Sequence, residues 1–303
     1  MLGPPAYDDR RDPVTRILHL SDTHATATGV DMDGVDAAAA LERVLHDVRH
    51  VPGIELVVVS GDVADDGSET GYRAVREQVG AFARARGIPH VYCTGNHDDR
   101  SAFGAVLGSG HLGPDGEDRG TPLVPGSPLH AAYSIVDGLR VATLDTLVPG
   151  HAHGALDGDQ LDALAGLLAT PAPAGTVLVL HHPPFHIASL PLLAEVVLRD
   201  IPDLRDVVRG TDVRAVLAGH LHHPVTGFLA GTPVWVAPGV VTRIDTTAPA
   251  HLVRGVLGAG AGLLDLGPAD ATTYHLLHAR DPRAGELVYL YDAASGEDVA
   301  EER

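Results

Sequence analysis

The stretch IELVVVSGDVADDGSETGYRAVREQVGAFARARGIPHVYCTGNHDD, residues 54–99, holds two short apolar runs with a helical pattern between them. IELVVVS (54–60) and PHVYCT (89–94) are rich in β-branched and aromatic residues, as strands buried on both faces are. ETGYRAVREQVGAFARARG (69–87) has the length of a helix, and Gly87 suits its C-cap. Strand, helix, strand implies parallel pairing through a right-handed crossover. Outward from it, RILHL (16–20) is a further strand, followed by a helix whose Leu41, Val44, Leu45 and Val48 share one face.

Towards the C-terminus, TVLVL (176–180), VRAVLA (213–218) and PVWVA (233–237) read as further buried strands. AAYSIVDGLRVATLDT (131–146) differs, because Asp137-Gly138 between two alternating runs signals an antiparallel hairpin. TTYHLLHA (272–279) and LVYLYD (287–292), flanking RDPRAGE, are expected to form a second hairpin. The Gly- and Pro-rich stretch 108–130 reads as loop. So does much of 246–270, where VLGAGAGLL (256–264) is the one candidate for an apolar cap or contact patch. With neither repeat nor linker, one domain is expected over 16–295, with 1–15 and 296–303 as flexible ends.

Composition narrows the function. The 303 residues are 45% hydrophobic with scattered charge, which is globular rather than disordered. The net charge is −19 and lysine is absent, so a nucleic-acid polymer would be repelled. An anionic substrate would need a local positive centre, which screening over about 8 Å makes effective against a distant acidic surface. The single cysteine, Cys93, is most simply a small core residue and fits a reducing compartment. The N-terminus lacks an apolar signal region and no apolar run approaches ~18 residues, so the cytoplasm is the expected location.

Metal-binding residue types recur at strand exits. HLSDTH (19–24) places Asp22 and His24, GDVADDG (61–67) places Asp62, and CTGNHDD (93–99) places Asn96 and His97. LVLHHPPF (178–185) places His181 and His182, and AGHLHH (218–223) places His220, His222 and His223. In a mostly parallel sheet, ligands bind beyond the carboxyl ends of the strands. Imidazole and carboxylate without thiolate suit Mn, Fe or Zn better than Ca. Asp22, His24, Asp62, Asn96, His181, His220 and His222 make seven donors. That is too many for one catalytic ion with open positions, and natural for two ions sharing Asp62. Helix capping is the plain alternative for Asp22 and Asp62. His220 and His222 would face one way if their segment is extended.

In order, DTH, GDVADDG, GNHDD, HHPP and GHLH resemble the signature of the calcineurin-like binuclear metallophosphoesterases. RGTDVRAVLAGHLHHPVTGFLAGTPVWVAPG (209–239) and VLVLHHPPF (177–185) look most like the class III cyclic-nucleotide phosphodiesterases of that superfamily. GHAHGAL (150–156) is also similar to its bacterial glycerophosphodiesterases. The resemblance implies an α/β fold, an αββα sandwich of two mixed sheets flanked by helices. It implies two divalent or trivalent ions, a mixed Fe/Mn pair foremost. The first would take Asp22, His24, Asp62 and His222, and the second Asp62, Asn96, His181 and His220. His182 is the alternative to His181, and His223 a supporting residue.

His97 then matches the acid that protonates the leaving group, with Asp65 orienting it or merely solvated. Asn96 and His97 would hold substrate oxygens. His151 and His153 lie in a loop that could reach substrate, His153 being the candidate contact, while His19 is more simply packed. The implied activity is hydrolysis of a small phosphodiester, first 3',5'-cyclic AMP or GMP, by an enzyme that is a homodimer in many relatives. Glycerophosphodiesters, or broad di- and monoester hydrolysis, are the alternative. A non-catalytic scaffold is disfavoured, because all seven donors and His97 are present.

Overall fold

The computed structural model describes residues 14–187, 191–268, 271–292 and 295–299. The first half runs β1 (Thr15–Leu20), α1 (Ala37–Asp47), β2 (Ile54–Ser60), α2 (Glu69–Arg84), β3 (His90–Cys93) and α3 (Arg100–Leu107). The short β4 (His111–Leu112) and β5 (Thr121–Pro122) then lead to β6 (Ala132–Val136) and β7 (Leu139–Thr143). After α4 (Gly158–Leu168) come β8 (Thr176–Val179), α5 (Pro191–Ala194), α6 (Ile201–Val208) and β9 (Val213–Ala218). The last strands are β10 (Val225–Leu229), β11 (Thr232–Val236), β12 (Thr242–Ile244), β13 (Leu252–Leu257) and β14 (Gly260–Leu266). They are followed by β15 (Thr273–His278), β16 (Leu287–Asp292) and β17 (Glu297–Asp298).

One sheet has the order β15-β14-β1-β2-β3-β4 and the second β10-β11-β9-β8-β7-β6-β5; a small sheet is ordered β12-β13-β16-β17. β1, β2 and β3 are mutually parallel, as are β7, β8, β9 and β11. Side chains alternate between two cores, as the pleat requires. Leu56, Val58, Val91 and Cys93 face Val141, Val177, Val179 and Leu217 of the other sheet, while Val57, Val59 and Tyr92 face outward to the helices. Leu164, Leu168, Leu204 and Val208 cover the second sheet's outer face. The result is the αββα sandwich, and each strand's continuous apolar run reflects burial on both sides. Asp137 and Gly138 turn the β6–β7 hairpin with φ of 48° and 86°, the geometry of a type I′ turn.

The C-terminal part departs from expectation. Within the stretch 246–270, residues 252–257 and 260–266 are strands, not loop or cap: they form β13 and β14, and β14 pairs antiparallel with β1 from Thr15↔Leu266 to His19↔Gly262. Its glycines obscured the strand by lowering local β propensity, and packing against neighbours overrides that. The Tyr274 ring fills the space where Gly262 has no side chain, since a Cβ there would lie 1.9 Å from the Tyr274 hydroxyl.

Nor do 272–279 and 287–292 pair with each other. β15 pairs with β14 and β16 with β13, because the chain parts after β13 and each strand takes its antiparallel partner in a different sheet. Parts of both expected flexible ends, 1–15 and 296–303, lie in strands: Thr15 begins β1, and Glu297–Asp298 pair with β16. Residues 1–13 and 300–303 lie outside the described ones. A buried β14 has a measurable consequence. Leu264→Ala, at a fully buried inter-sheet position, should lower unfolding free energy by about 2–5 kcal/mol. Leu276→Ala, 45% exposed on β15, should cost under about 0.5 kcal/mol in the same denaturant titration.

Candidate metal centre

The exits of β1, β2 and β3 in one sheet and of β8 and β9 in the other converge, and their loops are laced together by backbone bonds. Asp22 N–H donates to Gly61 O at 3.1 Å, His24 N–H to Asp62 O at 3.0 Å, and Gly219 N–H to His181 O at 3.0 Å. Seven described non-glycine residues have positive φ, and five of them are Asp22 (55°), His24 (43°), Asp62 (46°), His220 (74°) and His222 (45°). Left-handed backbone is sparsely used by such residues, at a cost of ~1–2 kcal/mol each, and concentrates at functional sites. This corrects one expectation. His220 and His222 do not share a face through an extended segment; each sits in left-handed backbone on either side of Leu221, which is buried. Helix capping falls to Asp36, Ser68, Asp99 and Asp157, so Asp22 and Asp62 have no capping role.

Four groups of three residues each bring ligand atoms within 4.8 Å of one another: Asp22, His24 and His222; Asp22, Asp62 and His181; His24, Asp62 and His97; His181, His182 and His220. Asp62 stands between the first sheet and the second. One of its oxygens accepts the His97 N–H at 2.9 Å; the other lies 3.1 Å from His181 Nε2 and 3.7 Å from His24 Nε2. Asn96 Oδ1 is 3.2 Å from His181 Nε2. The Asp22 carboxylate accepts the His220 N–H at 3.0 Å and lies 3.5 Å from His222 Nε2. All seven donor residues of the sequence pattern are therefore brought together. His181, not His182, points at Asp62 and Asn96; His182 turns Nδ1 to the Thr146 hydroxyl at 2.7 Å.

Glycines make this close approach possible. A Cβ at Gly95 would lie 2.3 Å from Asp62 Oδ1, and one at Gly61, whose φ is +90°, would lie 2.4 Å from His181 Nδ1.

The electrostatics show a site built around positive charge. Burial raises the Asp22 carboxyl, and Asp62 beside it adds to the rise. Burial also opposes charge on Asp62, but the imidazoles of His181, His97 and His24 hold it well below the usual carboxylate range. His181 is pushed up to about 9: burial opposes its charge, and Asp62 and Asp22 overcome that. The pull of Asp62 and Asp22 on the His181 ring marks the demand for positive charge that a bound cation would meet. His220 and His222, lowered to about 3 chiefly by burial, are neutral and have lone pairs to offer. Buried carboxylates beside neutral imidazoles, with no thiolate, fit a hard-to-borderline metal pair.

Outer partners orient these groups. Asp65 lies 2.8 Å from His24 Nδ1 and 3.0 Å from His97 Nδ1, so it holds both rings rather than standing in solvent. Burial disfavours charge on His97, but the Asp65 bond and the Asp62 charge raise it to about 10. Ser60 O holds His181 Nδ1 at 2.8 Å, and the Thr242 hydroxyl holds His222 Nδ1 at 2.7 Å. Asp98 was not singled out by the sequence pattern. Its buried carboxylate accepts the N–H groups of Val63, Ala64 and Gly95, clamping the Asp62 loop to the Asn96 loop. Its position three residues after Gly95, aimed back at that N–H, was the available signal.

Arg100 and buried Asp145 form a paired ion bridge at 2.7 and 2.8 Å that anchors the 146–156 loop. In that loop the His151 and His153 rings lie tilted at 47° with centroids 4.9 Å apart, next to Gly154, which abuts His182. His19 is buried, with Ser60 and Tyr274 on its two nitrogens, and is packing. His223 belongs to none of the four clusters.

Comparison with known proteins places this geometry. Residues 15–224 match the family model described as calcineurin-like phosphoesterase. The chain is 42% identical over 245 residues to a probable cyclic nucleotide phosphodiesterase of Rhodococcus erythropolis, covering 80% of this chain and 76% of that one. It is 40% identical over 256 residues to a cAMP/cGMP dual specificity phosphodiesterase of Mycobacterium tuberculosis, covering 83% and 76%. Among solved structures, a purple acid phosphatase from yellow lupin aligns over 95% of this chain and 53% of its own, at TM-score 0.52 and 14% identity, which speaks to the fold alone. The signature motifs, the sandwich and the family match agree: this chain belongs to the calcineurin-like phosphoesterase family.

Proposed function

We propose that this chain is a binuclear metal-dependent phosphodiesterase acting on 3',5'-cyclic AMP or GMP. The observation that carries the reading is the complete donor set, with a proton-bearing His97 beside it, in a chain 40% identical to a dual-specificity cyclic nucleotide phosphodiesterase. Asp22, His24, Asp62 and His222 would hold the first ion, and Asp62, Asn96, His181 and His220 the second. Mn, Fe or Zn suits these donors, a mixed Fe/Mn pair foremost. Two such ions, when bound, would supply positive charge for a phosphodiester anion and lower the pKa of water for attack on phosphorus.

The chain's own groups do the rest. The Asn96 amide and the His97 ring hold phosphoryl oxygens, and His97 gives its proton to the departing alkoxide. Asp65 keeps that ring oriented and protonated through its 3.0 Å bond to Nδ1. His153, half-buried in the loop next to Gly154, would be that loop's contact to the substrate. Among the described residues no helix is long and apolar enough to cross a membrane.

The bridge is tested through its carboxylate. Asp62→Asn should lower occupancy of both ions in elemental analysis, whereas Asp22→Asn should empty mainly one. Equal single-ion losses in the two variants would argue against sharing.

Salt separates a local centre from a basic surface. With a net charge of −19, moderate salt should weaken substrate binding only slightly, or favour it by screening the acidic surface. A steep rise of KM with salt would point to a basic binding patch instead.

The acid role is read from leaving groups. Removing a general acid costs on the order of 10²–10⁴ in rate where the leaving group needs its proton. A ribose 3'-alkoxide needs it and a nitrophenolate does not. His97→Ala should therefore cripple cyclic AMP hydrolysis while sparing much of the activity on bis-nitrophenyl phosphate. The measurement is the ratio of the two kcat/KM losses with metal content checked in parallel. Equal losses at full occupancy would remove His97 from this role, and equal losses with metal missing would make it a ligand.

A further inference from the structure

Three of the four imidazoles assigned to the ions have their outer nitrogen held: His24 by Asp65 at 2.8 Å, His181 by Ser60 O at 2.8 Å and His222 by Thr242 at 2.7 Å. His220 is the exception. Its Nε2 is buried without a hydrogen-bond partner. Beside it lies His182, ring centroids 4.6 Å apart, whose own Nε2 is buried and unpartnered as well. His182 is fully buried, and its Nδ1 is fixed 2.7 Å from the Thr146 hydroxyl. Gly154 leaves the ring its space, since a Cβ there would lie 2.4 Å from His182 Nδ1. Two buried ring nitrogens left unsatisfied would each carry a desolvation penalty.

We propose that His182 is the positioning residue for His220 and thereby for the second ion. The tautomers fit without any added proton. A neutral imidazole has one donor and one acceptor nitrogen. If His220 ligates through Nδ1, its proton stays on Nε2. If His182 keeps its proton on Nδ1, donating to the Thr146 oxygen, its Nε2 carries the lone pair. His220 Nε2–H then donates to His182 Nε2, and His182 Nδ1–H to Thr146. As the rings stand the two nitrogens make no hydrogen bond; ligation at Nδ1 would set their complementary donor and acceptor roles, and a turn of the His220 ring would bring them into reach. Outer partners of this kind fix a ligand's tautomer and orientation, and losing one costs 10–100-fold in metal affinity. Thr146 and His182 thus do for the second ion what Thr242 does for His222.

The inference rests on the assignment of His220 to the second ion, and the experiment separates the two. Metal-free protein is titrated with Mn(II) by calorimetry, resolving two binding steps, with thermal unfolding measured on each variant. His182→Leu keeps volume and removes the acceptor; about 10–100-fold weaker binding is expected for one ion, with the other unchanged. His182→Gln, whose amide oxygen can accept the same proton, should restore most of that affinity. Equal losses in Leu and Gln variants, no loss in either, or parallel weakening of both ions would overturn the positioning role. His220→Ala is the reference. If it weakens neither ion, the ligand assignment itself is wrong; if it weakens one while His182→Leu weakens none, only the role of His182 fails.

Discussion

Two buried carboxylates, Asp22 and Asp62, lie within 4.8 Å of each other's reach and of His181. At that separation, and an effective dielectric near 20, the repulsion between two ionised carboxylates is ~3.5 kcal/mol. A buried pair of this kind needs either a shared proton or positive charge between or beside its members. Much of the surrounding structure answers this one demand. His181 is drawn towards the charged form by both carboxylates, and His97 by Asp65 and Asp62. Asp98 ties the two loops that carry Asp62 and Asn96 into one unit, so the carboxylate cannot swing away. A bound cation pair meets the same demand with more charge and fixed geometry.

Holding such a cluster requires backbone that would not persist alone. Five donors sit in left-handed conformation, together unfavourable by several times the ~1–2 kcal/mol of a single residue. They follow strands whose residues are buried on both faces, and the loops are pinned to one another by backbone bonds across the two sheets. A rigid sandwich therefore over-determines the turns at its edge. This explains why the donors come from both sheets: the charges are brought together by the packing of one sheet on the other, and local sequence alone would not assemble them.

The same logic marks what could be read from the chain. Strand exits carrying Asp22, Asp62 and His181 were legible because apolar runs end abruptly in polar residues, and all seven donors were named from that pattern. The hairpin at Asp137-Gly138 was legible for its turn chemistry. β14 was not, because Gly260 and Gly262 suppress a strand signal that only the Tyr274 ring and Pro238 restore by filling the space above them. The pairing of β15 and β16 with different partners depends on contacts far apart in sequence. Outer partners such as Thr242, Thr146 and Asp98 escaped for a related reason. A threonine or an aspartate has no spacing that announces a bond to a histidine 20 or 36 residues away, or to backbone 34 residues back.

The acidic composition and the anionic substrate class are reconciled by distance. Surface carboxylates act through screened solvent, and beyond roughly 8 Å their influence on a bound phosphate is small at physiological salt. A bound ion pair would act at contact, inside a site whose donors are buried and whose dielectric is low. Repulsion from the surface would then affect how often a substrate arrives, and the centre how long it stays. Polyanions feel the surface at many points at once, whereas a small phosphodiester feels mainly the centre. A net charge of −19 with no lysine would therefore repel a polyanion at many points and a small phosphodiester at few.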